Sequence, residues 1–138
     1  MVTTSAPIKR SVVQAMRADA PLKAAIVGGI HESFAPEKVR YPFVTYNLVT
    51  APYGDLWGSR VIVALIDVFA FAENPVDANN VDQLVLDVLD GATLTVDGQS
   101  ALICKRVADL PGPPSLDAEG KKIYQIGGSY EIWTDQSL

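Results

Sequence analysis

A histidine beside a carboxylate has the composition of an acid–base dyad, and this sequence has one such pair, His31 and Glu32. Neighbouring residues of an extended chain point in opposite directions, so the two side chains are not expected to meet. His31 is the only histidine in the sequence, which leaves no second imidazole for a proton relay or a metal site. We therefore expect both residues to belong to a surface loop.

The sequence has a single cysteine, Cys104, and its setting does not favour a nucleophile. A reactive thiol needs a nearby base, and no histidine stands close to Cys104 in the sequence. Its place in a predicted strand favours a small apolar role instead. One cysteine cannot form an internal disulfide, and a lone thiol agrees with synthesis in a reducing cytoplasm.

Phosphate and metal sites are not predicted either. The pair Gly28-Gly29 lacks the G-x-x-x-x-G-K pattern of a phosphate loop and is expected to end a helix. Metal sites need three or four convergent ligands. The carboxylates of one predicted helix fall mostly outside its apolar stripe, so we expect them to be solvated: Asp77, Asp82, Asp87 and Asp90. The sequence thus predicts no catalytic residue, cofactor or metal ligand, and no enzyme.

Asp67 is the one carboxylate that needs a specific explanation, because it interrupts an apolar face in the middle of the longest predicted strand. An unpaired carboxylate buried there would be costly. Either a basic side chain reaches it, with Arg106 and Lys105 as candidates, or that face is open or only partly covered. We expect a structural pairing, inside the subunit or across an interface between subunits.

Two loops hold the other candidate contacts with proteins. The first is short and bounded by glycines, and its aromatic residues are of the kind enriched at interfaces; a loop folded back onto its own core is an equal alternative. The second, from Leu110 to Gly120, has three prolines and no apolar periodicity, which indicates a long loop that a neighbour could order. With Asp67, the candidate interface residues are Tyr53, Leu56, Trp57, Leu110, Pro113, Pro114 and Leu116.

Composition sets wider limits. The 138 residues fit one domain, spanning 1–138, with enough length for a real core. Eleven basic against sixteen acidic residues give a net charge of −5, which argues against a protein that grips nucleic-acid phosphates. The longest apolar run, from Val61 to Ala72, contains Asp67 and is too short to span a bilayer as a helix. With no signal-peptide pattern, we expect a soluble protein with no membrane partner.

Helical periodicity appears twice. The first helix begins at the capping residues Thr4 and Ser5, and a short helical turn over 21–27 follows it. The second begins at Asn74-Pro75 and ends at Gly91. Its apolar residues follow the i, i+3, i+4, i+7, i+8 pattern without a miss: Val81, Leu84, Val85, Val88 and Leu89.

Five strands are predicted, over 43–50, 59–72, 93–96, 100–108 and 122–134. Asp97-Gly98 predicts a tight turn between the third and fourth strands, and Gly127-Gly128 predicts a bulge or bend in the last. The order of elements indicates an α+β domain, with a mainly antiparallel sheet of about five strands and two helices packed on one face.

The strand over 59–72 is apolar on both faces, although two helices can cover only one face of such a sheet. An apolar patch left on the second face usually marks an association surface. We therefore expect sheets or loops of neighbouring subunits to cover it, with Asp67 at or near the seam.

Four stretches, taken in order, give the chain a family resemblance: VVQAMRADAPLKAAIVGGIHES, YPFVTYNLV, RVIVALIDVFAFAENPVDANNVDQLVLDVLDG and KIYQIGGSYEIWT. They cover the chain from about Ile8 to Thr134. Each is weakly specific alone, but their order and spacing resemble the tail-terminator, or tail-completion, family of long-tailed bacteriophages. The loop from Pro52 to Gly58 and the loop after Leu110 depart from it, at places where such proteins vary.

The resemblance implies a structural protein of the virion, made in the host cytoplasm and placed at the head-proximal end of the tail. Such proteins form a homohexameric ring that caps the tail tube, stops its polymerisation and joins it to the head-side connector. The implied partners are further copies of the chain, the tail-tube protein and the connector, and DNA passes through the ring without sequence-specific binding. The family has no catalytic signature, so no catalytic residue is transferred.

Two other hypotheses stay open at this point. The chain could be a neck, connector or tail-tube component of the virion, which differs from a terminator in its location and in the number of rings. It could also be a small soluble α+β binding module or enzyme, for which the sequence offers no site. Particle mass and images separate this last hypothesis from the others, because a ring is visible directly.

Overall fold

The structure is a computed structural model that describes residues 5–50, 61–94 and 102–135. Three helices and seven strands follow one another in these ranges. In chain order they are α1 (Ser5–Ala18), α2 (Ala20–Ala25), β1 (Ile30–Glu32), β2 (Phe43–Thr50), β3 (Val61–Ala72), α3 (Pro75–Leu89), β4 (Thr93–Leu94), β5 (Leu102–Pro111), β6 (Ser115–Leu116) and β7 (Lys122–Asp135).

The strands form one sheet in the order β1-β2-β3-β7-β5-β4, and β6 pairs with the start of β7. β1 and β2 run parallel, and every other pair is antiparallel. The predicted α+β class and mainly antiparallel sheet are therefore confirmed. The five predicted strands correspond to β2, β3, β4, β5 and β7, and the structure adds the short strands β1 and β6. The predicted turn at Asp97-Gly98 lies outside the described residues.

The core lies between the helices and one face of the sheet, which we call the inner face. On β3 the inner face carries five side chains that are each at most 1% exposed: Ala64, Ile66, Val68, Ala70 and Ala72. The helices cover it with apolar side chains at helical spacing, among them Ile8, Val12 and Met16 of α1 and Val81, Val85 and Leu89 of α3.

Side-chain caps start the second and third helices. Asp19 accepts a hydrogen bond from the Leu22 amide, 3.0 Å away, at the start of α2. Asn74 accepts one from the Asp77 amide, 2.8 Å away, at the start of α3. Each cap satisfies an amide that the helix itself leaves free. The predicted short turn after α1 is confirmed as α2, and the predicted start of α3 is confirmed.

Two loop predictions were wrong. His31 and Glu32 do not belong to a surface loop. They belong to β1, which pairs with Val44–Tyr46 of β2. The segment from Leu110 to Gly120 is not one long loop, because β5 continues to Pro111 and β6 pairs with Lys122 and Ile123 of β7. Strands β1 and β6 are too short to show a periodic pattern. Their order depends on backbone hydrogen bonds to β2 and β7, which the sequence does not reveal.

The predicted bulge at Gly127-Gly128 lies elsewhere. β7 pairs with β3 in unbroken register through both glycines, and the irregularity is on β5, between Arg106 and Ala108. The glycines serve close packing. A Cβ on Gly127 would meet the Val68 carbonyl and the Phe69 ring, while a Cβ on Gly128 would meet the Arg106 guanidinium.

Candidate protein-interaction surfaces

The second face of the sheet, the outer face, is only partly covered. On β3 it carries Leu65, Asp67, Phe69 and Phe71, all of intermediate exposure, opposite the fully buried inner face. Strand β5 adds the exposed side chains of Ile103 (55%) and, at its bulge, Val107 (50%). The two apolar faces of β3 therefore differ: the helices cover the inner face, and the outer face is partly exposed to solvent.

Asp67 is paired within the subunit, by a hydroxyl and not by a basic side chain. Ser129 donates a hydrogen bond of 2.5 Å to its carboxylate from the neighbouring strand β7. The predicted partner Arg106 aligns with Tyr130, whose side chain is fully buried in the core, and bonds other groups. Lys105 aligns with Glu131 and is exposed. Of the two alternatives, the basic partner was wrong and the partly covered face was correct, since a part-buried carboxylate that accepts a hydrogen bond needs no cation to be stable.

Arg106 instead anchors helix α3 to the sheet. Its guanidinium contacts both carboxylate oxygens of Asp82 at 3.0 Å, and it donates to the Gly127 carbonyl at 2.8 Å. The ring of Tyr130 lies 5.8 Å from the guanidinium carbon. Burial alone would lower the pKa of Arg106, but the hydrogen bond and charge of Asp82 and the contact with Tyr130 raise it above its ordinary value. This cluster is structural, because Arg106 stays ionised and is only 9% exposed.

Three aromatic rings line an open groove at one end of the outer face. Phe43 stacks on Phe71 with ring centroids 4.8 Å apart, and Tyr41 lies 5.3 Å from Phe43. The groove has a volume of about 890 Å³, and the loop over 33–41 and the turn over 117–121 form its walls. Burial and the nearby charges of Asp117, Glu73 and Glu119 raise the pKa of Tyr41, so this phenol stays neutral near pH 7. The groove therefore has an apolar floor and several carboxylates on its rim.

Phe34 is the most exposed large apolar residue of the described chain, at 86%, and it stands on the wall of this groove. Its exposure was not predicted from the sequence. The signal that could have found it is an aromatic residue in a polar, proline-containing segment, Ser33 to Pro36, where no strand or helix pattern would bury it.

The predicted contact residues that the structure describes differ in exposure. Leu110 aligns with Gly127 in the sheet and is partly buried, whereas Pro113 and Pro114 are exposed. Leu116 is 67% exposed on β6. The other three, Tyr53, Leu56 and Trp57, lie outside the described residues.

The residues whose types could serve catalysis or metal binding make structural contacts instead. Cys104 is fully buried, and burial together with the charge of Asp90 raises the pKa of its thiol to about 12. His31 is 2.7 Å from the Gly28 carbonyl oxygen, and Glu32 forms an ion pair of 2.7 Å with Lys9. Across the described ranges, no three His, Cys, Asp or Glu side chains gather as a metal site would need. None of the helices described there is long and apolar enough to cross a membrane.

Charge is divided between the two ends of the strand order. The segment of α1 and α2 carries four basic side chains, Lys9, Arg10, Arg17 and Lys23, and one acidic side chain, Asp19. Helix α3 and its flanks, residues 73–90, carry five acidic side chains and no basic one. Lys9 reaches β1 through Glu32, and Asp90 accepts a hydrogen bond of 2.9 Å from the Arg106 amide of β5. Lys9 thus joins the basic region to β1, and Asp90 joins the end of α3 to β5, while the rest of α3 packs on the central strands β3 and β7.

Comparison with solved structures shows that the fold occurs elsewhere. A chain of the virion of a native gene transfer agent particle matches with a TM-score of 0.72 at 17% identity, covering 96% of this chain and 97% of that one. The gp17 protein of bacteriophage SPP1 matches with a TM-score of 0.55 at 18% identity, covering 92% and 89%. No family model and no curated protein matches the sequence. At these identities the likeness shows that the fold is shared along nearly the whole chain.

Proposed function

We propose that the protein is a structural component of a phage or phage-like virion, the tail terminator that caps the tail tube as a homohexameric ring. The observation that carries the proposal is the match in fold to a virion chain, which spans nearly all of both chains. A second match, to a bacteriophage protein, supports the same class. Both matches agree with the resemblance that the order of sequence motifs indicates.

The surfaces support an assembling protein better than a catalyst. The outer face leaves Ile103 and Val107 half exposed, and Phe34 and Leu116 are exposed still further. Large apolar side chains that stay in water forgo roughly 1.5–3 kcal/mol of burial each, and contact with neighbours recovers it. Closed rings satisfy such surfaces on every subunit, whereas open stacking would give filaments.

The proposed partners are further copies of the chain, the tail-tube protein and the head-side connector. The residues assigned to these contacts are Tyr53, Leu56, Trp57, Leu110, Pro113, Pro114 and Leu116, with Asp67 near the seam between subunits. DNA passes through the ring without sequence-specific binding, and the net charge of −5 suits a wall along which phosphate slides. The ring sits at the head-proximal end of the tail.

The first test is the mass of the purified protein. Light scattering over a range of concentrations, with negative-stain images of the same samples, should show closed rings of six subunits. A stable monomer at every concentration, and within the particle too, would contradict the ring.

The second test is location, which separates a terminator from the other virion components considered. Gold labelling of a tagged chain in assembled particles should place one ring at the junction of tail tube and neck. Label repeated along the tail would identify a tube subunit instead, and label above the junction would identify a connector component.

A further inference from the structure

The two charged regions at opposite ends of the strand order fit each other, and a second copy of this chain supplies the complement of both. We propose that subunits associate head to tail, with the basic end of one against the acidic end of the next. The basic end is defined by Arg17 and Lys23, and the acidic end by Asp87, Asp90 and Asp109. The inference rests on the proposed ring and deepens it by assigning the faces that meet.

The basic end is exposed, and the carboxylates of the described residues leave its two side chains without an ion pair. Arg17 and Lys23 are exposed and line one cavity of about 550 Å³ beside His31 of β1. Neither forms an ion pair with any carboxylate of the described residues. Asp19 turns its carboxylate to the start of α2, and Glu32 is paired with Lys9. A positive surface therefore faces solvent beside β1.

The acidic end keeps an excess of negative charge. Arg106 is paired with Asp82 and Asp109 at 3.0 Å. Asp90 is exposed and accepts a hydrogen bond from the backbone amide of Arg106. Asp87 is exposed and accepts a hydrogen bond from the neutral Gln83. These four carboxylates outnumber the two basic side chains of β5, Lys105 and Arg106, and β5 lies on the other side of β3 and β7 from β1.

The proposed ring decides the kind of association. Two patches of opposite sign can also pair in an isologous dimer, where each patch meets the other patch of the second copy, but every contact between the subunits of a ring of six is heterologous. They pair in a heterologous contact, which closes into a ring when the rotation between subunits allows it. Complementary charge also sets the register and speeds encounter. The lack of basic residues on α3 favours this contact, because a lysine there would weaken the attraction between the acidic end and the basic end of the next subunit.

Charge reversal at each end tests the proposal. The basic-end variant is Arg17→Glu with Lys23→Glu, and the acidic-end variant is Asp87→Lys with Asp109→Lys. Each should raise the concentration at which half of the chain is assembled by roughly tenfold or more, because attraction at every contact becomes repulsion. Light scattering supplies the mass, and circular dichroism of each variant checks the fold.

Restoring complementarity should restore assembly. The basic-end variant carries two acidic ends and the acidic-end variant two basic ends, so an equimolar mixture should form alternating rings although neither assembles alone. One chain with all four substitutions should also assemble alone. The matched control is Lys38→Glu with Arg40→Glu, which makes the same change in net charge as the basic-end variant at exposed positions outside the residues that define either end, and it should assemble like the wild type.

The outcomes separate the two proposals. A wild-type ring that both reversals leave unchanged, or a mixture that fails to recover, would overturn the head-to-tail contact and leave the ring standing. A loss of assembly in the control equal to that in the variants would overturn it too, since net charge alone would then be the cause. A wild-type chain that is always monomeric would contradict the ring itself and this contact with it.

Discussion

At the scale of single residues, the least expected feature is the ionic anchor at Arg106. An arginine and an aspartate in the sequence look like ordinary surface charges. Arg106 was one of two candidate partners for Asp67, and Asp82 was expected to be in solvent. The structure buries both side chains to 9% and 14% exposure and joins them by two hydrogen bonds. Such a pair fixes the position of α3 on the sheet, because removing one partner leaves the other charge buried.

Asp82→Asn tests this anchor. The substitution keeps the shape of the side chain and removes its charge, so we expect the free energy of unfolding to fall by about 3 kcal/mol. The control is Glu32→Gln, which breaks the half-exposed ion pair to Lys9 and should cost less than about 1 kcal/mol. Urea denaturation followed by circular dichroism measures both. Equal costs would mean that the Arg106 anchor contributes no more than a surface pair.

Arg106 is also the reason that position 128 requires a glycine, and a double-mutant cycle tests this. A Cβ at this position would meet the Arg106 guanidinium, so Gly128→Ala should cost about 1–3 kcal/mol by overpacking. In an Arg106→Ala background the space is free, and most of that cost should disappear. Urea denaturation of the four proteins in the cycle gives the coupling energy. Additive costs would show that the glycine is required for another reason.

At the scale of elements, the sequence is informative where an element carries its own signals. Helix α3 has a cap, a first-turn proline and an unbroken apolar stripe, and the predicted helix was correct along its length. Strand β3 was also clear, since its length and β-branched residues leave few alternatives. The short strands β1 and β6 were missed because their order comes from hydrogen bonds to β2 and β7, which no local pattern encodes.

The cap of α3 allows a direct measurement of one such signal. Asn74→Ala removes the acceptor for the Asp77 amide and should lower the free energy of unfolding by about 1 kcal/mol. Asn80→Ala is the matched control, because Asn80 is exposed in the interior of the same helix and should change stability by less than about 0.5 kcal/mol. Thermal denaturation of the two variants compares them. A larger loss for Asn80→Ala would contradict the assigned start of the helix.

At the scale of the whole molecule, the arrangement of helices and sheet in layers was easier to predict from the sequence than the exposure of residues on the surface. Two apolar stripes and one strand that is apolar on both faces imply helices on one side of a sheet, and the structure has them there. The exposure of side chains on the outer face was harder to predict, because it depends on which side chains of neighbouring strands and loops pack against them. Phe43 and Thr45 lie on the outer face yet are buried, and the ring of Phe43 packs against those of Tyr41 and Phe71. Ser129 was not predicted as the partner of Asp67, because their contact follows from the register of β3 and β7.

Assembly should change the segment over 112–121 more than any other described part of the chain. Pro113, Pro114 and Leu116 are exposed there, and the hydrogen bonds of the segment, such as that from the Asp117 amide to the Lys121 carbonyl, are near solvent. Local opening of such a segment costs little in a free subunit, and a neighbour packed against it would raise that cost. The amides of α3 are held inside a packed helix in either state, so they should change less. Hydrogen exchange on the isolated subunit and on the assembled ring, read by mass spectrometry, compares the two segments. Equally strong protection of 112–121 in both states would mean that the segment is ordered by its own subunit and makes no contact in the assembly.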